Sequence, residues 1–92
     1  MVNAFVLLKV EPARIAAVAA ALTEIDGVAE VYSVAGDVDL IAIIRVRHHE
    51  GLADVVTGHI SALEGIVETR TMIAFKAFSQ HDLNAMWSLG SD

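Results

Sequence analysis

A two-residue period of apolar side chains predicts four β-strands along the chain. The predicted strands are Asn3–Val10, Val28–Ala35, Leu40–Arg47 and Ile66–Phe78. The first and third are apolar on both of their faces, which is typical of strands covered by neighbours on two sides. We therefore expect these two strands at the centre of a sheet.

Two helical segments separate the strands. Pro12 is tolerated in a first helical turn, where its missing N–H needs no partner, and Gly27 is placed to end the first helix. A second helix is predicted from about Glu50 to Leu63, closed by Gly65. Apolar residues recur at helical spacing in the first segment, at Ile15, Val18, Leu22 and Ile25.

The chain is predicted to form one domain over residues 1–78, followed by a tail over residues 79–92. In the tail, Leu83, Met86 and Trp87 lie at helical spacing behind Asp82, a candidate N-cap. The tail is therefore predicted to hold a short amphipathic segment.

An internal repeat fixes the expected topology. Leu7–Val10 matches Ile43–Val46, and Ile25–Val31 matches Leu63–Thr69. Each half therefore contains a strand, a helix and a strand. Two such units with right-handed crossovers give a ferredoxin-like βαββαβ fold of the α+β class, with both helices on one face of a four-stranded antiparallel sheet.

Two helices can cover only one face of that sheet. The other face is predicted to expose Phe5, Leu7, Ile41 and Ile43. Apolar surface left in water costs about 25 cal/mol per Å² relative to burial. We therefore expect a dimer that packs these faces together, in the manner of dimeric α/β barrels.

Composition narrows the partners and the compartment. The chain is 55% hydrophobic but only 5% aromatic, and six Lys plus Arg oppose twelve Asp plus Glu, for a net charge of −6. This charge argues against direct nucleic-acid binding. Cysteine is absent, the first residues lack a basic secretory start, and no apolar run reaches the roughly 20 residues of a membrane helix. The sequence predicts a soluble cytoplasmic protein.

The connection between the second and third strands is the first candidate site. Gly36, Asp37 and Asp39 offer exposed amides and carboxylates that could hold the ammonium and carboxylate of an amino acid. The alternative is an ordinary hairpin turn with its aspartates in solvent.

Other residues that could carry chemistry have ordinary explanations as well. His59 falls in the apolar stripe of the second helix, either as a buried histidine with one backbone partner or as a ligand in a pocket, including a haem ligand. His48 and His49 are expected in a solvated turn. Thr69 and Thr71 point the same way on the last strand, as strand propensity alone would allow. No phosphate loop, nucleophile elbow or HExxH motif occurs, so no catalytic, metal or cofactor site is predicted.

Four segments carry a resemblance to a known family: Phe5–Val10, Ile25–Val31, Gly36–Ile41 and Leu63–Thr71. Together they resemble the effector domain of the leucine-responsive/asparagine regulator (Lrp/AsnC) family. The resemblance covers Ala4 to about Phe78. Members of that family have a DNA-binding helix-turn-helix before this domain, whereas here Met1 starts almost directly on the first strand, as in a stand-alone version.

The resemblance implies a domain that dimerises through its sheet, assembles into octameric or similar rings, and binds amino acids in clefts between dimers. Where the family often has proline or an aromatic residue, this loop has Asp37-Val38 and so bears two carboxylates. By matching position, the implied ligand-binding residues are Gly36 and Asp39 of the loop, Thr69 and Thr71 of the last strand, and Ser33 and Val34 on the approach.

The leading hypothesis is a non-catalytic oligomeric sensor of an amino acid or related metabolite, acting through mixed assembly with full-length regulators. One alternative is a dimeric α/β-barrel enzyme of the small monooxygenase or haem-degrading type, for which His59 is the candidate residue. The other is an amino-acid-binding regulatory domain of the ACT type, which shares the βαββαβ order.

Overall fold

The computed structural model describes residues 1–80, so the amphipathic segment predicted in the tail lies outside the described residues. The elements follow the predicted βαββαβ order. A short 3-10 turn, Pro12–Arg14, precedes the first helix. The elements are β1 (Val2–Val10), α1 (Ile15–Thr23), β2 (Val28–Ser33), β3 (Leu40–Val46), α2 (from His49) and β4 (Ile66–Ile73).

The four strands form one antiparallel sheet in the order β2-β3-β1-β4. Val6 of β1 pairs with Ala42 of β3 on one side and with Thr71 of β4 on the other. The two doubly apolar strands therefore lie at the centre, as predicted. The α+β ferredoxin-like fold is confirmed.

The core lies between the sheet and the two helices. Alternate residues of β1 and β3 point into it, because successive side chains of a strand face opposite ways. Both helices contribute apolar side chains to the same cluster, so they cover the same face of the sheet. The buried cluster comprises Ala4, Val6, Leu8, Val10, Leu40, Ala42 and Ile44 from the strands and Val18, Leu22, Leu52, Val55 and Ile60 from the helices.

The opposite face of the sheet has no helix over it within the described chain, and we call it the open face. Its central residues, Phe5, Leu7, Ile41 and Ile43, are only partly covered by residues 1–80. Register confirms that they are neighbours, since Phe5 pairs with Ile43 and Leu7 with Ile41. Phe5 is exposed and the other three are half-buried, so the four side chains lie on the uncovered face as predicted but are exposed to different degrees.

Two glycines mark the repeat in the backbone. Gly27 and Gly65, which occupy matching positions, both have φ of +97°. A Cβ at position 27 would lie 2.9 Å from a Val55 methyl, and one at position 65 would lie 2.7 Å from Arg14 Cβ. Backbone angle and lack of space both require glycine here. Gly27 does not end α1 directly, because the helix stops at Thr23 and a turn follows.

Three strand ends differ from the predictions. β4 ends at Ile73, not Phe78, because its partner β1 begins at Val2 and the last backbone bond joins the Ala74 amide to the Asn3 carbonyl. For the same reason β3 ends at Val46, the partner of Val2, not at Arg47. β2 ends at Ser33, not Ala35.

The second helix is irregular, and this overturns the prediction for His59. Helix α2 is α-helical over His49–Ala53, π-helical over Asp54–His59 and 3-10 over Ile60–Ala62. A π-helical turn holds more residues than an α-helical turn, so the apolar face shifts along the sequence. Ile60 is buried in the position predicted for His59, and His59 is exposed. The prediction of a buried histidine is wrong.

Candidate functional site

The β2–β3 connection is tied to the sheet at its base and open at its tip. The Val34 amide donates to the Asp39 carbonyl (3.0 Å), and the Asp39 amide donates to the Leu8 carbonyl (2.9 Å). Gly36 and Asp37 are exposed, and Gly36 has the positive φ, +149°, that its residue type allows. The tip therefore presents backbone and a carboxylate to solvent from a fixed base.

The two aspartates of this loop have different surroundings. Asp39 Oδ2 accepts a hydrogen bond from the Val10 amide (2.9 Å) at a partly buried position, 29 residues away in sequence. Asp37 is exposed and makes no hydrogen bond or ion pair with any residue from 1 to 80. Asp39 therefore joins the loop to the end of β1, while Asp37 is available to a ligand.

Val38, between the two aspartates, anchors the loop. It is buried, with 8% of its surface exposed. Its neighbours in the connection, Asp37 and Gly36, are exposed, so the valine between the two aspartates points inward. Sequence reasoning missed both this anchor and the Val10 amide, although an isolated valine among polar turn residues was a usable signal for the anchor.

The structure does not bring the predicted threonines to the loop within one chain. Thr69 pairs with Leu8, and Leu8 pairs with Leu40 at the start of β3. Two strand spacings, about 9.6 Å, therefore separate Thr69 from the base of the loop. Thr69 and Thr71 point the same way, as predicted, and the register places them on the helix-covered face, where both are exposed. Ser33 is also exposed and Val34 is half-buried, next to the loop.

Thr71 instead lines an apolar groove between α2 and β4. The groove has a volume of about 300 Å³. The groove exists because β4 is an edge strand. Helix α2 only partly covers the last residues of β4 on the face of the sheet that carries the helices. The lining residues are His49, Leu52, Ala53, Val56, Thr57, Thr71 and Ile73.

A second concavity, of about 540 Å³, lies at the turn between β3 and α2 and is lined by Val2, Arg47, His48, His49 and Glu50. Both histidines are exposed, in agreement with the predicted solvated turn. Across residues 1–80, no three His, Asp or Glu side chains are grouped so that they could hold a metal ion. Over the same residues, no helix has the length and apolar character needed to cross a membrane.

The element order and the antiparallel sheet define a small ferredoxin-like βαββαβ domain. A family model described as the Lrp/AsnC ligand binding domain matches residues 3–83. The chain belongs to the Lrp/AsnC ligand-binding domain family, which confirms the resemblance found in the sequence.

Individual proteins similar to this chain agree with the family assignment. The chain is 37% identical over 79 residues to the HTH-type transcriptional regulator FL11 of Pyrococcus abyssi, covering 84% of this chain and 50% of the relative. It thus spans about half the length of the curated relatives it matches. Among solved structures, the protein TTHA0845 of Thermus thermophilus has 45% identity and a TM-score of 0.83, covering 87% of this chain and 100% of that one. A feast or famine regulatory protein of M. tuberculosis, complexed with L-methionine, has 27% identity and a TM-score of 0.72, covering 87% and 54%.

Proposed function

We propose that the chain is a non-catalytic sensing domain that binds a small amino acid in the cytoplasm and modulates transcription regulators of its own family through mixed assembly. The observation that carries this proposal is the β2–β3 loop, whose tip is open and whose base is held by Asp39 and Val38 in a domain of the Lrp/AsnC ligand-binding family. The relative solved with L-methionine makes this amino acid the first to test.

The proposed site takes Gly36 and Asp37 from the loop, with Ser33, Val34 and Asp39 beside them. The exposed Asp37 carboxylate would accept charge-assisted hydrogen bonds from the ligand's ammonium. The ligand's carboxylate would accept hydrogen bonds from exposed backbone amides of the loop. Because Thr69 and Thr71 lie on the far side of β1, we place them in the cleft only from a neighbouring dimer, in an octamer or similar ring.

The dimer within this assembly would form through the open face. Phe5, Leu7, Ile41 and Ile43 make an apolar centre there, and Tyr32 and Met72 beside them are about half exposed. A specific interface buries about 800 Å² from each partner. A four-stranded sheet face with this apolar centre is suited to such contact.

A thermal-shift panel of the common amino acids, at millimolar concentration, tests the sensing role. A ligand at about 100 times its Kd stabilises by about 2.7 kcal/mol, which for a domain of this size is a rise of about 10 °C or more in Tm. L-methionine leads the panel. Asp37→Ala should remove the shift while leaving the unliganded Tm unchanged, because Asp37 makes no structural contact within residues 1–80. Absence of a shift with every amino acid would refute the proposal.

A further inference from the structure

The seven residues after β4, 74–80, begin beside the open face, and we call them the exit segment. The Ala74 amide donates to the Asn3 carbonyl (2.9 Å), which holds the start of the segment next to β1. Beyond this bond, the segment helps to form a depression of about 260 Å³ on the open face. It is lined by Ala74, Lys76 and Ala77 of the segment and by Asn3, Phe5, Ile43 and Arg45 of the sheet.

Two phenylalanines of the exit segment are left in solvent. Phe75 is fully exposed, and Phe78 has 66% of its surface exposed, with Lys76 Nζ 5.3 Å from the centre of its ring. A phenylalanine side chain brings an unusually large apolar area to any contact. Phe75 is therefore left without cover, and about two thirds of Phe78 faces solvent.

The charges of the open face favour a second copy of this chain as the partner. By register, three cationic and two anionic side chains lie on this face, which gives a local sum of +1, whereas the whole chain carries −6. When two copies of a face with charges of both signs meet, cations of one copy can lie opposite anions of the other. The rest of the surface is acidic, so two copies repel each other there. The five residues are Lys9, Arg45, Arg70, Glu30 and Glu68.

We propose that the exit segment of each subunit crosses to the open face of a second copy and packs Phe75 and Phe78 against it. Each subunit then supplies two aromatic side chains to the other's interface. This inference rests on the face-to-face dimer of the proposed function and adds the residues that hold it together.

The sheet side of the depression is formed by Asn3, Phe5, Ile43 and Arg45. It is a suitable receptor for a ring of the partner's exit segment, which takes the place of the subunit's own segment. The volume of the depression is below the range of about 300 to 1,000 Å³ that is common for small-molecule pockets, which suits a single side chain. Arg45, on the sheet side of the lining, places a cation where the face of an entering ring is attractive. The Asn3 side-chain oxygen is buried without a hydrogen-bond partner among residues 1–80. Movement of the exit segment during exchange would open this oxygen to water, which can donate the missing hydrogen bond.

Sedimentation equilibrium of the full chain tests the exchange. The double variant Phe75→Ser/Phe78→Ser should raise the dimer dissociation constant at least tenfold. Val67→Ser is the matched control, because Val67 has the same 66% exposure as Phe78 but lies at the start of β4 with no partner in the register of β1. Circular dichroism should show both variants folded, since the three substituted side chains are exposed.

Photo-crosslinking gives a second readout that does not depend on affinity. With p-benzoylphenylalanine at position 75, a mixture of 15N-labelled and unlabelled chains should yield crosslinked peptides of mixed isotope composition that contain residues of β1 or β3. Crosslinks confined to one chain would overturn the exchange.

Two variants distinguish the exchange of exit segments from the face-to-face dimer. If Ile41→Lys produces a monomer while Phe75→Ser/Phe78→Ser leaves the dissociation constant unchanged, the face-to-face dimer stands and the exchange is wrong. If Ile41→Lys leaves the dimer intact, the open face is not the interface and both are wrong.

Discussion

Among single residues, the two aspartates of the β2–β3 loop differ in the contacts that their carboxylates make. Asp39 accepts a hydrogen bond from the Val10 amide, and Asp37 makes no hydrogen bond or ion pair within residues 1–80. Both are carboxylates two positions apart, so their residue types alone do not distinguish them. The difference arises from the position of β1, 29 residues away, and only the fold supplies it.

Replacing Asp39 should therefore destabilise the domain. Asp39→Ala leaves the Val10 amide without its acceptor at a partly buried position, at a cost of about 1–3 kcal/mol. Asp39→Asn keeps an acceptor oxygen and should cost less. Urea denaturation measures both, with Asp37→Ala as the control, expected within about 0.5 kcal/mol of the parent. An Asp39→Ala variant as stable as Asp37→Ala would contradict this role.

Tyr32, the single tyrosine of the chain, gives a spectroscopic probe of the open face. Its hydroxyl donates a hydrogen bond to the Glu30 carboxylate, which raises the pKa of Tyr32 above its usual value, and the nearby negative charge acts in the same direction. We expect the tyrosinate absorbance to appear at higher pH than for free tyrosine. Glu30→Gln should return the midpoint towards the usual value.

The raised pKa of Tyr32 also makes the stability of the domain depend on pH. Because the folded-state pKa is raised, the contribution of the Tyr32–Glu30 pair is complete below the ordinary tyrosine pKa and is lost as the pH rises through the folded-state value. Urea denaturation on both sides of that window measures the loss. A midpoint that does not move in Glu30→Gln would show that the carboxylate does not control the hydroxyl.

At the scale of elements, the paired glycines make the clearest prediction. Gly27→Ala should destabilise the domain by about 1–3 kcal/mol, since alanine is strained at φ of +97° and its Cβ would meet Val55. Gly58→Ala is the matched control, because its Cβ would meet nothing within 4 Å inside α2. There, alanine should be neutral or stabilising. Thermal unfolding followed by circular dichroism compares them, and equal losses would contradict the backbone argument.

Element order and sheet centre were predictable because they depend on local periodicity. Alternation in β1 and β3 placed Phe5, Leu7, Ile41 and Ile43 on the uncovered face, and the residues that alternate with them are buried. The face of α2 was not predictable in the same way. Its π-helical turns depend on how the helix fits the sheet, so a regular helical period placed His59 inside when Ile60 takes that position.

The candidate site was less predictable than the fold for a related reason. The loop itself was evident from Gly36 and Asp37 in sequence. Its links to Leu8 and Val10, and the two strand spacings to Thr69, depend on strand order and register. Such long-range relations are not encoded in any single window of the chain.

At the scale of the whole molecule, the open face should determine the oligomeric state. Ile41→Lys places a cation at its apolar centre and should give a monomer, because burying an unpaired charge in the interface is costly. Ala17→Lys, on the exposed side of α1, adds the same charge elsewhere and should remain a dimer. Light scattering at micromolar concentration distinguishes the two. A dimeric Ile41→Lys variant would place the interface on another surface.

The bond between Asp39 and Val10 also makes one backbone proton a reporter on the loop. The Val10 amide is held by a carboxylate from the β2–β3 connection, not by a strand partner. Its exchange with deuterated solvent therefore requires the loop to lift from the end of β1, and the exchange rate measures the free energy of that local opening. A molecule that holds the loop against β1 slows the exchange of the Val10 amide proton. A molecule that draws the Asp39 carboxylate away from Val10 speeds this exchange.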